Sequence, residues 1–180
     1  MSLRLRVQFA FVSVLVVFGF TGCMMRRPSK ARVGQPRTVA FQINVDANAN
    51  DNSVVPFDAV VIRDKKLLQQ ISQMDAAAWF SAKGRCNYRG GAKAKVEFHS
   101  WEFVPGQTFL IDVPSPGGVK GILGFANYAT PGDHRVTLKS SGSQIVNLRE
   151  DGIQGVTTAA FANSKAPPPA PEKQGVCPDN

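Results

Sequence analysis

Arg37–Ile62 reads RTVAFQINVDANANDNSVVPFDAVVI. Val39, Phe41, Ile43 and Val45 fall on one side of an extended chain and Thr38, Ala40, Gln42 and Asn44 on the other, which predicts a half-buried strand of period two. Asp46–Ser53 then breaks the pattern with side chains that favour turns and bond their own backbone. A second strand, Phe57–Ile62, follows a connection too short for another element. The first two strands are therefore expected to be spatial neighbours.

Toward the C-terminus the period changes and then returns. Leu67, Leu68, Ile71 and Met74 recur at helical spacing after Asp64, and a second short helix, Asp75–Ala82, starts at a capping aspartate and carries Trp79 and Phe80. These helices are expected to cover an edge or open end of a sheet. Beyond Gly90-Gly91 the strand pattern resumes. Lys95–Val104 and Thr108–Val113 flank Pro105-Gly106-Gln107, which predicts a hairpin. Gly121–Tyr128, Arg135–Leu138 and Gln144–Arg149 follow, separated by turn residues, and the glycines of Pro116-Gly-Gly118 and Gly121 read as turns too. About seven to eight strands at ten-residue intervals, with one or two short helices inserted after the second, predict a mainly β fold, a β-sandwich occupying 37–162. The tail, 163–180, holds Pro167–Pro169 and Pro171 and is expected to lie extended on the surface.

Toward the N-terminus, Met1–Arg6 is a short basic segment, Val7–Gly22 is an uncharged apolar run of 16 residues, and Cys23 follows. The run is short for a membrane span, which needs about 20 residues, and it reads as an export signal over 1–22. Thr21-Gly22-Cys23 resembles a lipobox, in which the cysteine becomes diacylated and the leader is cut away; Phe20 stands where Leu is usual. A cleaved leader with an incidental cysteine and an uncleaved anchor are the alternatives. Met24 after the cysteine points to the outer membrane, because inner-membrane lipoproteins usually carry Asp there. Acyl chains at Cys23 give stable anchorage, and residues 23–36 form a basic flexible tether near anionic headgroups.

Charge sharpens this division. The chain's formal charge is +8 over 180 residues, but +2 belongs to residues 1–22 and +5 to residues 23–37, which leaves +1 for the rest. The folded part therefore has no bulk footprint for phosphate, and nucleic acid is not an expected partner. A mean hydropathy of −0.10 excludes a polytopic membrane protein. In an oxidising compartment Cys86 and Cys177 can pair and staple the tail to the domain, free thiols being the alternative. No Cys/His spacing suggests a metal site.

Little in the chain suggests catalysis. His99 shares a strand face with Glu97 and Trp101 and reads as a packed or solvated histidine, and His134 has no nucleophile motif near it. Asp58, on an otherwise apolar strand, reads either as a buried carboxylate with a raised pKa or as an outward or ion-paired one. Trp79 and Trp101 are expected in the core. No catalytic residue and no cofactor is assigned. Two rival readings remain: a periplasmic solute- or glycan-binding lipoprotein with Trp79, Trp101 and Tyr128 along a groove, and a small hydrolase using Asp58 or His99.

The order of features resembles the outer-membrane lipoprotein of the bacterial type VI secretion system, the TssJ family. The similar features are the lipobox cysteine, the first strand running into Ile43-Asn-Val-Asp-Ala-Asn-Ala-Asn50, the valine-rich second strand, and Ala78-Trp-Phe80 closing the helices. Glu102-Phe-Val-Pro-Gly-Gln107 and Gly121-Ile-Leu-Gly-Phe-Ala-Asn-Tyr-Ala129 before His134-Arg-Val-Thr-Leu138 continue the likeness. The chain departs in having Asn52-Ser-Val-Val-Pro56 before the second strand and His134 in place of a Trp. The resemblance implies a transthyretin-like β-sandwich without enzymatic activity, bound to the periplasmic domain of the inner-membrane component TssM and fastened to the outer membrane. It also implies a partner-binding loop made here of Asp46, Ala47, Asn48, Ala49, Asn50, Asp51, Asn52 and Ser53.

Overall fold

The structure is a computed structural model that describes residues 37–88 and 95–158, without the side chains of 155–158. The leader, the tether with Cys23 and the tail with Cys177 lie outside the described residues. Eight strands are described: β1 (Thr38–Val45), β2 (Val55–Ile62), β3 (Val96–Phe103), β4 (Thr108–Pro114), β5 (Gly121–Ala126), β6 (Arg135–Leu138), β7 (Ser143–Leu148) and β8 (Ile153–Thr158). Two short helices, α1 (Lys65–Ile71) and α2 (Ala76–Phe80), lie between β2 and β3. One sheet has the order β4-β1-β7-β8 and the other β3-β2-β5-β6. All pairings are antiparallel except β1 with β7.

The sandwich core follows from alternation. Val39, Phe41, Ile43 and Val45 of β1 face Phe57, Ala59 and Val61 of β2 and Trp101 and Phe103 of β3 in one continuous apolar cluster. Each fully buried side chain of this size contributes roughly 1.5–3 kcal/mol. The mainly β fold expected from the sequence is thus the one observed.

β1 and β2 are spatial neighbours, as expected, but across the core in opposite sheets, and the loop between them crosses the layer gap. Other expectations about connections are corrected. The Pro105-Gly106-Gln107 turn does not close a hairpin, because β3 and β4 also lie in different sheets. Its Gly106 takes φ +77 beside β1, with its N–H within bonding distance of the Val45 and Asp46 carbonyls. Strand switching at a corner needs a tight turn as much as a hairpin does, so the turn signal alone does not tell them apart.

The helices do not sit over an edge or open end. They cover the outer face of the β3-β2-β5-β6 sheet, where Ile71, Ala76 and Trp79 join Val60, Ile62, Val96, Leu123 and Phe125. β2 is therefore buried on both faces, which accounts for its unbroken apolar run. Asp64 caps α1 by accepting from the Lys66 and Leu67 N–H groups, and Asp75 caps α2 by accepting from Ala78 N–H. Gly121 is the first residue of β5 rather than a turn residue; a Cβ there would meet the Leu68 methyls of α1 at 2.8 and 2.9 Å.

Candidate functional site

β1 runs from Thr38, next to the tether, to Val45, about 25 Å away at the rise of an extended strand. Four connections meet at that distal end: 46–54, 104–107, 127–134 and 149–152. The opposite, proximal end holds Arg37, the start of α1 and the 115–120 and 139–142 connections.

The loop expected to bind a partner, Asp46–Ser53, is at the distal end, and the structure divides it into a fixed half and a displayed half. Asn50 is the fixed point. Its backbone N–H donates to the Glu150 carbonyl at 3.0 Å, its Oδ1 accepts from Ala129 N–H at 2.7 Å, and its Nδ2 donates to the Val54 carbonyl at 3.0 Å. Asn50, Asp51 and Asn52 all have left-handed backbones, at φ 48, 53 and 58, which Asn and Asp tolerate better than other non-glycine residues. Ala49 is fully buried beneath them. Asp46 pairs with Arg149 Nη1 at 3.2 Å, and Asn48 Nδ2 donates to Glu150 Oε2 at 2.7 Å.

Neighbouring loops brace this arrangement. The Tyr128 hydroxyl lies 2.9 Å from the Arg149 carbonyl and 3.1 Å from that of Gly152, and it donates its proton between them. Burial, with the Asp46 and Asp151 charges adding to it, pushes the Tyr128 pKa well above its ordinary value. His134 stacks on the Tyr128 ring at 4.8 Å, and its Nε2 donates to the Thr130 carbonyl at 2.8 Å. A loop held this way presents a preformed surface.

Ala47, Asn48, Asp51, Asn52 and Ser53 are displayed on that surface. Beside them are Val54 and Val104, 43% and 45% exposed, the exposed large hydrophobic residues among those described. They flank the last pair of the β2–β3 ladder, Val55–Phe103, one residue beyond it on each strand. Asp51, Glu102, Asp133, Glu150 and Asp151 are exposed around them. The arginines at this end are engaged: Arg149 with Asp46, and Arg135 with the carbonyls of Ser72 and Met74 and with Asp133. Sequence reading singled out the loop but not the two valines, which only the β2–β3 register brings to the same end of the sheet.

The other candidate residues are not brought together. Asp58 and His99 sit on opposite faces of one sheet, Asp58 outward with Val60 and His99 inward with Trp101. Asp58 is 1% exposed, accepts from Trp79 Nε1 at 2.8 Å and has Arg85 Nη1 at 3.5 Å. Burial raises its pKa despite these partners. Trp79, stacked on Phe125 at 5.1 Å, closes over it, so the carboxylate meets no cleft. Trp79, Trp101 and Tyr128 are all buried, which removes the reading of an aromatic ligand platform. Cys86 is disulfide-bonded.

No protein-family profile matches the sequence, and no curated protein is similar to it in sequence. Solved structures are similar in fold. The type VI lipoprotein TssJ1 from Pseudomonas aeruginosa superimposes with a TM-score of 0.56 at 14% identity, over 71% of this chain and 99% of that one. Serratia marcescens Lip, a membrane-bound component of the type VI secretion system, matches with 0.51 at 13% identity, over 66% and 96%. A chain in the structure described as the type VI protein TssM C-terminal domain (869–1107) from EAEC matches with 0.50 at 13% identity, over 68% and 98%. The chain therefore has the sandwich fold of the TssJ lipoproteins, the fold that the sequence resemblance implied.

Proposed function

We propose that this protein is a lipoprotein of a bacterial type VI secretion membrane complex. Acyl chains on Cys23 moor it to the periplasmic face of the outer membrane, and the distal end of the sandwich binds the periplasmic domain of a TssM-like inner-membrane component. The protein serves as a scaffold and catalyses no reaction. The observation that carries this reading is polarity: the tether enters β1 at one end, and the braced Asp46–Ser53 loop with Val54 and Val104 lies at the other. An anchor and a docking surface on opposite ends fit a molecule that bridges a membrane to a partner.

The similar structures support the assembly. The match to the TssM-related structure covers 98% of its chain with 68% of this chain's 180 residues, so that chain is about half as long as the 869–1107 span. Its size supports reading it as a TssJ-like companion of that domain. We further propose that Cys86 pairs with Cys177 and holds the tail on the domain.

Two variants test the reading. Cys23→Ser is expected to move the protein from the outer-membrane fraction to the soluble periplasm; recovery in the membrane overturns the anchor. Val54→Asp with Val104→Asp is expected to weaken co-purification of the TssM-like component about tenfold or more, the size of a central interface contact, without lowering thermal stability. Undiminished co-purification overturns the distal end as the docking surface.

A further inference from the structure

The proximal end carries chemistry of its own. Arg37, Lys65, Lys66, Lys95, Lys120 and Lys139 are all exposed there, joined by half-buried Arg63. Short bonds gather them: Lys120 N–H donates to the Ile62 carbonyl at 2.7 Å, Arg63 N–H to the Lys95 carbonyl at 2.8 Å, and Ser115 N–H to the Arg37 carbonyl at 2.6 Å. Asp64 pairs with Lys95 at 2.9 Å and Glu97 with Arg63 at 2.8 Å, and Asp112 is exposed on β4. The described domain holds 11 acidic and 11 basic residues, so this is charge separated along the molecule rather than a basic protein.

A cleft of about 620 Å³ opens at this end between α1 and the β5–β6 pair. Leu68 and Leu123 of the outer apolar cluster lie in its lining with Lys120, Thr137, Lys139 and Ser140. Ser115 Oγ donates to the Ser140 carbonyl at 2.9 Å, and Ser115 is bonded to Arg37. Ser140 is therefore two hydrogen bonds from the point where the tether joins the fold. The Gln144 side chain, bonded to both N–H and C=O of Lys139 at 2.8 Å, fixes the backbone that carries this lysine.

We propose that the proximal end is a docking surface for anionic phospholipid, with a lipid phosphate seated between Lys120 and Lys139 and the glycerol region against Leu68 and Leu123. Charge complementarity names the occupant: lysines and leucines line one cleft at the end nearest the membrane. The assignment rests on the membrane-anchored reading above for that nearness. Docking would orient the sandwich, so that the tether does not leave the distal end pointing at random.

The test uses the native protein reconstituted in lipid nanodiscs, of phosphatidylcholine alone or with phosphatidylglycerol. Lysine acetylation by a soluble reagent is read residue by residue by mass spectrometry. Phosphatidylglycerol is expected to slow acetylation of Lys65, Lys66, Lys120 and Lys139 and to leave Lys83 unchanged. Lys120→Gln with Lys139→Gln is expected to lower the docked-to-undocked ratio about 25-fold, about fivefold per lysine, read at Lys65 and Lys66. Equal acetylation in both discs overturns the proposal, as does equal protection when inorganic phosphate is added to neutral discs. The same spectra report position 23: acylated Cys23 with unprotected lysines defeats the docking surface alone, and a free thiol with protected lysines defeats the anchor alone.

Discussion

Asn50 joins three segments with one side chain and one N–H, in a left-handed backbone. Asn50→Ala removes both side-chain bonds and is expected to destabilise the domain by about 1–3 kcal/mol, measured by urea unfolding. Asn50→Gly frees the backbone but also loses those bonds, so a full rescue by Gly would show that the side chain contributes nothing. Asp58 gives a pH prediction. Its folded pKa is raised above the ordinary 3.8, so the folded state holds the proton longer and stability falls as pH rises through that window. Asp58→Asn keeps an acceptor for Trp79 and carries no charge. Its Tm advantage over the parent is expected to grow as pH rises from about 4 toward neutrality; a constant difference would defeat this. The loop's polarity was legible in DANANDNS, but the burial of Asn50 was not, because two of its three partners lie 79 and 100 positions away.

At the scale of elements, alternation in β1 was read directly because one face is buried and the other is not. β2 gave no alternation, since α1 and α2 bury its second face. The helices were legible from their spacing and capping aspartates, but their seat was not, as an apolar helix face fits a sheet face or an edge equally well. Trp79 holds that seat, stacked on Phe125 and edge-on to Phe98 at 5.6 Å. Trp79→Ala is expected to cost about 3–5 kcal/mol, partly because Asp58 loses its indole donor, and calorimetry would register it as a lowered Tm. Substitution at exposed Ala77 on the same helix should leave Tm nearly unchanged. Turn residues at 105–107 were recognised, yet their topology was not: choosing between a hairpin and a sheet-switching corner needs knowledge of which sheet each strand joins.

Across the described domain, acidic side chains gather at the distal end and basic ones at the proximal end, a separation that its balanced charge conceals. A partner docking on the acidic rim is expected to present a cationic face. Raising ionic strength from about 0.1 M to about 1 M, which shortens screening from about 10 to about 3 Å, is then expected to slow association about tenfold or more with little change in dissociation; surface-plasmon measurements that find association insensitive to salt would exclude it. The position of β1 has a mechanical consequence. It is hydrogen-bonded to β4 on one side and β7 on the other, and the same strand leads from the tether to the loop at Asp46. Under the proposed function, a pull between bilayer and partner would enter and leave on one strand, along its length. Tension travels through its covalent backbone while two ladders resist in shear, and neither sheet is peeled open from an edge.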